Sequence, residues 1–168
     1  MNKSNAAVSR WLFLVVSLVL ITLDQFTKNL AIATLKLGID YPVLGEVLAW
    51  RLIYNDSAAF SLGFGQTWIL AVIATAAMLA TIWYSMKITS RSWAVMAGIF
   101  LAGVVGNLID RLTREPSFGN GHVVDFIKIP FNFPVFNLAD IFIVSMAILT
   151  VIRVFRGENL GGVAPRVK

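Results

Sequence analysis

Four aspartates, Asp24, Asp110, Asp125 and Asp140, stand at or near the ends of long apolar stretches, in a chain with nine acidic residues in all. A carboxylate inside a bilayer costs about 2.5–3.5 kcal/mol at mid-span and less near an interface, so four of them require partners or work. Asp24 has Lys28 one helical turn on, a spacing that pairs opposite charges. Asp110 is followed by Arg111 and can cap or pair there. Asp140 fits the first turn of a helix, where the dipole favours a negative charge. Asp125 differs: it lies in HVVDFIKI, flanked by Val123, Val124 and Phe126, and its nearest basic residue in sequence is Lys128. Fifteen positions, with Pro130 and Pro134 among them, separate it from Asp140, which allows the chain to fold back and bring both carboxyls together. Two carboxyls at one site do not both ionise cheaply, so the pair shares a proton. Such a pair takes a proton from water and gives one to a carbonyl oxygen, and hydrolysis needs no covalent intermediate.

Composition removes most other chemistries. There is no cysteine, hence no thiolate nucleophile, disulfide or cysteine-ligated metal. His122 is the one histidine, so a multi-histidine metal site within one chain is excluded. A serine–histidine site would depend on His122, and no Gly-x-Ser-x-Gly motif occurs. His122 reads as a loop hydrogen-bonder. A serine–lysine pair would join Lys28 to Ser57 or Ser61. Outside enzymology, the same carboxylates would suit a small membrane transporter or lipid-binding protein, which would move ions across sealed vesicles and cleave nothing.

The elements that must position these residues follow from hydropathy. The 168 residues are 58% hydrophobic and 14% charged, with mean hydropathy +0.78, against about 25% charged in soluble domains. Helices that cross a membrane need about 20 mostly apolar residues. Four such spans are expected at 11–35, 68–86, 93–111 and 138–155, joined by outer loops 36–67 and 112–137, in one domain over 1–168. Lys3, Arg10, Lys87, Arg91, Arg153, Arg156, Arg166 and Lys168 fall at one end. Lys28, Lys36, Arg51, Arg111, Arg114 and Lys128 are spread over the longer loops of the other. That asymmetry places both termini in the cytoplasm. It also accounts for the net charge of +5 without nucleic acid, since no Lys/Arg-rich run with interleaved aromatics exists. A competing reading takes 1–33 as a cleavable leader ending at Ala31-Ile32-Ala33, although Asp24 and Lys28 burden the segment before the cut. Leu48 to Tyr54 and HVVDFIKI alternate like strands, and a small sheet is expected at the outer surface. The last ten residues read as a loose tail. Gly98, Ala102 and Gly106 form a small-residue stripe suited to close helix packing.

Five motifs, in order, carry a resemblance: LDQFTK (Leu23 to Lys28), YNDSAAFS (Tyr54 to Ser61), GNLIDR (Gly106 to Arg111), GHVVDF (Gly121 to Phe126) and FNLAD (Phe136 to Asp140). Together they resemble the lipoprotein signal peptidase family, signal peptidase II. The resemblance implies an all-α membrane protein of four transmembrane helices with a small β-sheet and loop cradle on the outer face. It implies an aspartic endopeptidase in the bacterial cytoplasmic membrane, acting as a single chain near the extracytoplasmic face. The implied substrate is a prolipoprotein whose cysteine carries diacylglycerol, cleaved before that cysteine with membrane lipid around it. No metal or cofactor is needed. The implied catalytic pair is Asp125 and Asp140. Supporting or substrate-binding roles fall to Asp24, Lys28, Asn55, Ala58, Gly103, Asn107, Arg111, Val123, Phe136, Asn137 and Ala139. Ser57 departs from the family pattern, which has glycine there.

Overall fold

The computed structural model describes residues 3–56 and 67–162, and the side chains from residue 6 onward. Four helices are long and apolar enough to cross a membrane: α1 (Lys3–Thr34), α2 (Thr67–Ser85), α3 (Arg91–Thr113) and α4 (Leu138–Phe155). α4 has the expected bounds, α2 lies one residue earlier than expected, and α3 extends two residues further at each end. α1 begins eight residues before the expected span, because the polar KSNAAVSR segment continues the helix beyond the apolar run.

α3 is the hub. More than half of its span is buried, whereas α1, α2 and α4 turn most of their side chains outward, and all three pack on α3. Gly98 of the small-residue stripe, and Gly103 outside it, make this possible. A Cβ on Gly98 would lie 2.9 Å from the Phe13 carbonyl oxygen of α1, and one on Gly103 would lie 2.5 Å from the Ala139 carbonyl oxygen of α4. Backbones that approach this closely gain dispersion contact in lipid, where no hydrophobic force drives helices together.

Between α1 and α2 a hairpin forms from β1 (Tyr41–Leu44) and β2 (Leu48–Asn55), and β3 (Val123–Lys128) completes an antiparallel sheet in the order β1-β2-β3. β2 and β3 coincide with the two alternating stretches of the sequence. Val124 and Phe126 face inward with Leu52 and Ala31, which closes the sheet over the end of α1. A second apolar cluster, built on Phe13, Ile88, Trp93 and Met96, fills the opposite end.

Both ends of the described chain meet at that second cluster. Ser9 of α1 donates to the Thr89 carbonyl in the α2–α3 turn. The Tyr84 hydroxyl donates to the Leu160 carbonyl, and the Thr89 hydroxyl to that of Gly162. The loose tail expected over the last ten residues is therefore corrected as far as Gly162: Leu160–Gly162 is a 3₁₀ turn docked on Tyr84 and Thr89. Backbone carbonyls make these contacts, and no side-chain pattern advertises them.

Candidate active site

α4 starts where Asn137 takes an extended backbone and caps the helix. Its side-chain oxygen accepts from the Asp140 N–H at 3.1 Å, and the Asp140 carboxylate accepts from the Asn137 N–H at 3.0 Å, a reciprocal capping box. The same Asn137 reaches across with its amide nitrogen, donating to Asp125 Oδ1 at 2.6 Å. Asp125 comes from β3. Its other oxygen accepts from Asn55 of β2 at 2.8 Å, a diagonal neighbour, since Asn55 pairs with Val123 and Ile53 with Asp125. From α3, Asn107 donates to Asp140 Oδ1 at 2.9 Å. Strand, hub helix and last helix thus deliver two carboxyls to one cluster, with Asn137 bonded to both.

Asp125 is 2% exposed. Burial pushes its carboxyl up to about 7, the Asp140 charge adds to the rise, and the Asn55 and Asn137 donors and the Lys28 charge oppose it. Asp140 is half-buried. Arg111 is buried on α3, and its charge acts on Asp125, Asp140 and Asp110. A buried carboxyl raised towards neutrality, beside a second and more open carboxyl, is an arrangement that can activate water.

Behind this pair lies a charged network. Lys28 is fully buried and bridges Asp24 and Asp110 at 2.9 Å each. It also donates to Asn107 Oδ1 at 2.9 Å. Asp24 accepts from the Ala139 N–H at 3.0 Å, satisfying an orphan donor at the start of α4. The expected Asp24–Lys28 pair is present. The ion pairs of Asp110 are to Lys28 and to Arg114 (2.7 Å), one turn away, and its second oxygen accepts from the Val124 N–H at 3.2 Å. Asp110 therefore holds the strand one residue before Asp125.

The expected residues Asn55, Asn107 and Asn137 touch the two carboxyls, Asp24, Lys28, Arg111 and Ala139 lie behind them, and Gly103 packs against Ala139 and Ile143. Val123 is buried opposite Asn55. Phe136 bridges to Ile127 and fixes the backbone entering α4. Ala58, with Ser57, Ala59 and Ser61, lies outside the described residues. Three further residues belong to the assembly. Gln25 donates to Asp24, Asp110 and the Gly106 carbonyl, and Asp110 and Arg114 complete the network. The i,i+4 spacing of Asp110 and Arg114 was the available signal. His122 donates its backbone N–H to Glu115. The Lys28 ammonium is taken up by Asp24, Asp110 and the Asn107 oxygen, and the Ser57 or Ser61 of a serine–lysine pair lies outside the described residues.

A family model described as Signal peptidase (SPase) II matches residues 16–156. The chain is 41% identical to the lipoprotein signal peptidase of Leifsonia xyli over 96% of this chain and 75% of that one. It is 40% identical to that of Mycobacterium avium over 94% and 86%. Two bacterial membrane enzyme structures solved in meso share the fold. One has TM-score 0.77 and 25% identity, covering 93% of this chain and 94% of its own. The other has TM-score 0.74 and 26% identity, covering 86% and 92%. With four spans around a carboxyl pair, and matches over nearly the whole length, the chain belongs to the signal peptidase II family of membrane aspartic peptidases.

Proposed function

We propose that this enzyme removes the signal peptide from prolipoproteins whose lipobox cysteine already bears diacylglycerol, cutting before that cysteine with Asp125 and Asp140 as the catalytic pair. The observation that carries the reading is the Asn137 bridge between the two carboxyls. Water bound between them gives a proton to Asp140 as its oxygen attacks the scissile carbonyl. Asp125, which keeps its proton up to about pH 7, donates it to the carbonyl oxygen. Collapse of the tetrahedral diol returns a proton to the leaving nitrogen. The products are a signal peptide with a free carboxylate and a lipoprotein with a free amine on its first cysteine. Asn55, Asn107 and Asn137 hold the carboxyls in place while the protons move.

We place both termini in the cytoplasm and the site at the extracytoplasmic face of the bacterial inner membrane. Six basic residues are spread over the longer loops at the site's end, against eight at the end bearing the termini. That bias in Lys and Arg supports this orientation. The enzyme acts as a single chain within membrane lipid.

The test is cleavage of a diacylglyceryl-modified prolipoprotein by purified enzyme, with the unmodified precursor as control. Asp125→Asn and Asp140→Asn each lower turnover by at least about 10²–10⁴-fold, the range of general acid–base catalysis, while the substrate still binds. Substantial turnover by either variant removes that residue from the mechanism.

A further inference from the structure

At the end of the bundle away from the two carboxyls, α2 and α4 both pack on α3, and a cavity of about 590 Å³ lies between them. Its walls include Ala80 and Tyr84 of α2, Ala97 and Phe100 of α3, and Met146 and Thr150 of α4. This volume lies within the range of roughly 300–1,000 Å³ typical of ligand sites. Trp93 at its floor and Asp110 near the catalytic end are 17 residues apart on one helix, about 25 Å at 1.5 Å per residue. The cavity is therefore separate from the peptidase site. An apolar hollow facing hydrocarbon is filled by hydrocarbon, because an empty one forfeits dispersion contacts on its lining.

The rim determines which lipid suits it. Exposed Trp83, two residues before the end of α2, and buried Trp93 line the cavity, and exposed aromatic residues near span ends favour the headgroup level. The Lys87 ammonium lies 3.3 Å from the Trp83 ring centre, and the Arg153 guanidinium 4.6 Å from that of Trp93. Exposed Arg91 opens α3 two residues before Trp93, and Arg156 follows α4. The acid at this rim, Glu158, is taken up by Arg153 at 2.5 Å. We infer that the groove between α2 and α4 holds an acyl chain of one anionic phospholipid, in the leaflet at the α2–α3 turn, with its phosphate against Lys87 and Arg91.

The test is native mass spectrometry of the full-length enzyme released from vesicles of mixed phosphatidylglycerol and phosphatidylcholine with identical acyl chains. The wild type retains phosphatidylglycerol preferentially. Lys87→Gln and Arg91→Gln each cut that retention roughly fivefold, as expected for a basic residue near an anionic headgroup. Ala147→Phe fills the groove from its exposed wall and abolishes retention with every charge in place. Ala80→Phe does the same from α2 should Ala147→Phe fail to fold, and peptidase activity reports folding of each variant. Equal retention of the two lipids by the wild type, or undiminished retention in all the variants, overturns the assignment. So does displacement of the lipid by a synthetic signal peptide, or a dimer that Ala147→Phe dissolves, since either gives the groove another occupant.

Discussion

The Lys28 ammonium donates to the side-chain oxygen of Asn107 at 2.9 Å. A cation meets only the oxygen of an amide, so this contact sets which way Asn107 faces and leaves its nitrogen for Asp140. Lys28→Met unfixes that amide and leaves Asp24 and Asp110 buried without their shared cation. Removing one partner of a buried ion pair costs about 3–5 kcal/mol. Thermal unfolding in detergent should show a drop of that order, with activity lost alongside. A variant as stable as the wild type would contradict the network.

Asp24→Asn tests the same network from α1. Asparagine can still accept from Ala139, but the charge opposite Lys28 is gone. Melting should fall at least as clearly as peptidase activity. A fully stable, inactive variant would instead place Asp24 in the chemistry.

On the proposed mechanism, the proton on Asp125 sets the alkaline limb of activity. With its carboxyl raised to about 7, the singly protonated pair disappears as pH rises through that value, and kcat/KM should fall tenfold per pH unit beyond it. A profile that stays level up to about pH 9 would show that the proton donor lies elsewhere.

Stability carries the same signature with a defined sign. The Asp125 carboxyl is raised from 3.8 to about 7 on folding. Between these values the folded chain holds a proton that the unfolded chain has released. Stability therefore falls as pH rises from about 4 to about 7 and levels off above. Asp125→Asn should flatten this part of the melting-temperature profile, measured in one detergent at constant salt.

Gly103→Ala and Gly106→Ala test the fit of α3 against its neighbours. A Cβ at 103 would press on the Ala139 carbonyl and on Ile143, and one at 106 on the Asp24 carboxylate. Overpacking of this kind costs about 1–3 kcal/mol. Gly106→Ala should lose more activity than Gly103→Ala, because it displaces a member of the charged network. Equal losses would separate that network from catalysis.

Much of this architecture was legible because it depends on composition over long windows. The four spans follow from apolar length, and β2 and β3 from alternation over Leu48–Asn55 and Val123–Lys128. The meeting of Asp125 and Asp140 was within reach of their spacing. Less visible was what joins them, because the Asn137 amide is oriented only once β3, α3 and α4 are together. Asp110 shows what a local reading leaves out: the charge of Arg111, next in sequence, acts on it, and the helix also sets Arg114 on the same face as an ion-pair partner. Lys128 is nearest Asp125 in sequence, yet its ammonium goes to Asp40 at the sheet edge. The docking of Leu160 on Tyr84 uses a backbone carbonyl, which carries no residue-type signal.

The bond from the Ala139 N–H to Asp24 joins the first span to the last. During biogenesis, a ribosome halted just before residue 137 has supplied Lys28, Asn107 and Asp125 but neither Asn137 nor Asp140. The half-built enzyme holds Asp24 paired with Lys28 but without its Ala139 donor, and Asp125 stands without a second acid. Entry of α4 supplies the Ala139 N–H donor for Asp24 and the second acid of the proposed pair in the same event, so on that mechanism proteolytic competence arrives only with α4. Nascent chains halted before residue 137 should insert without cutting their neighbours.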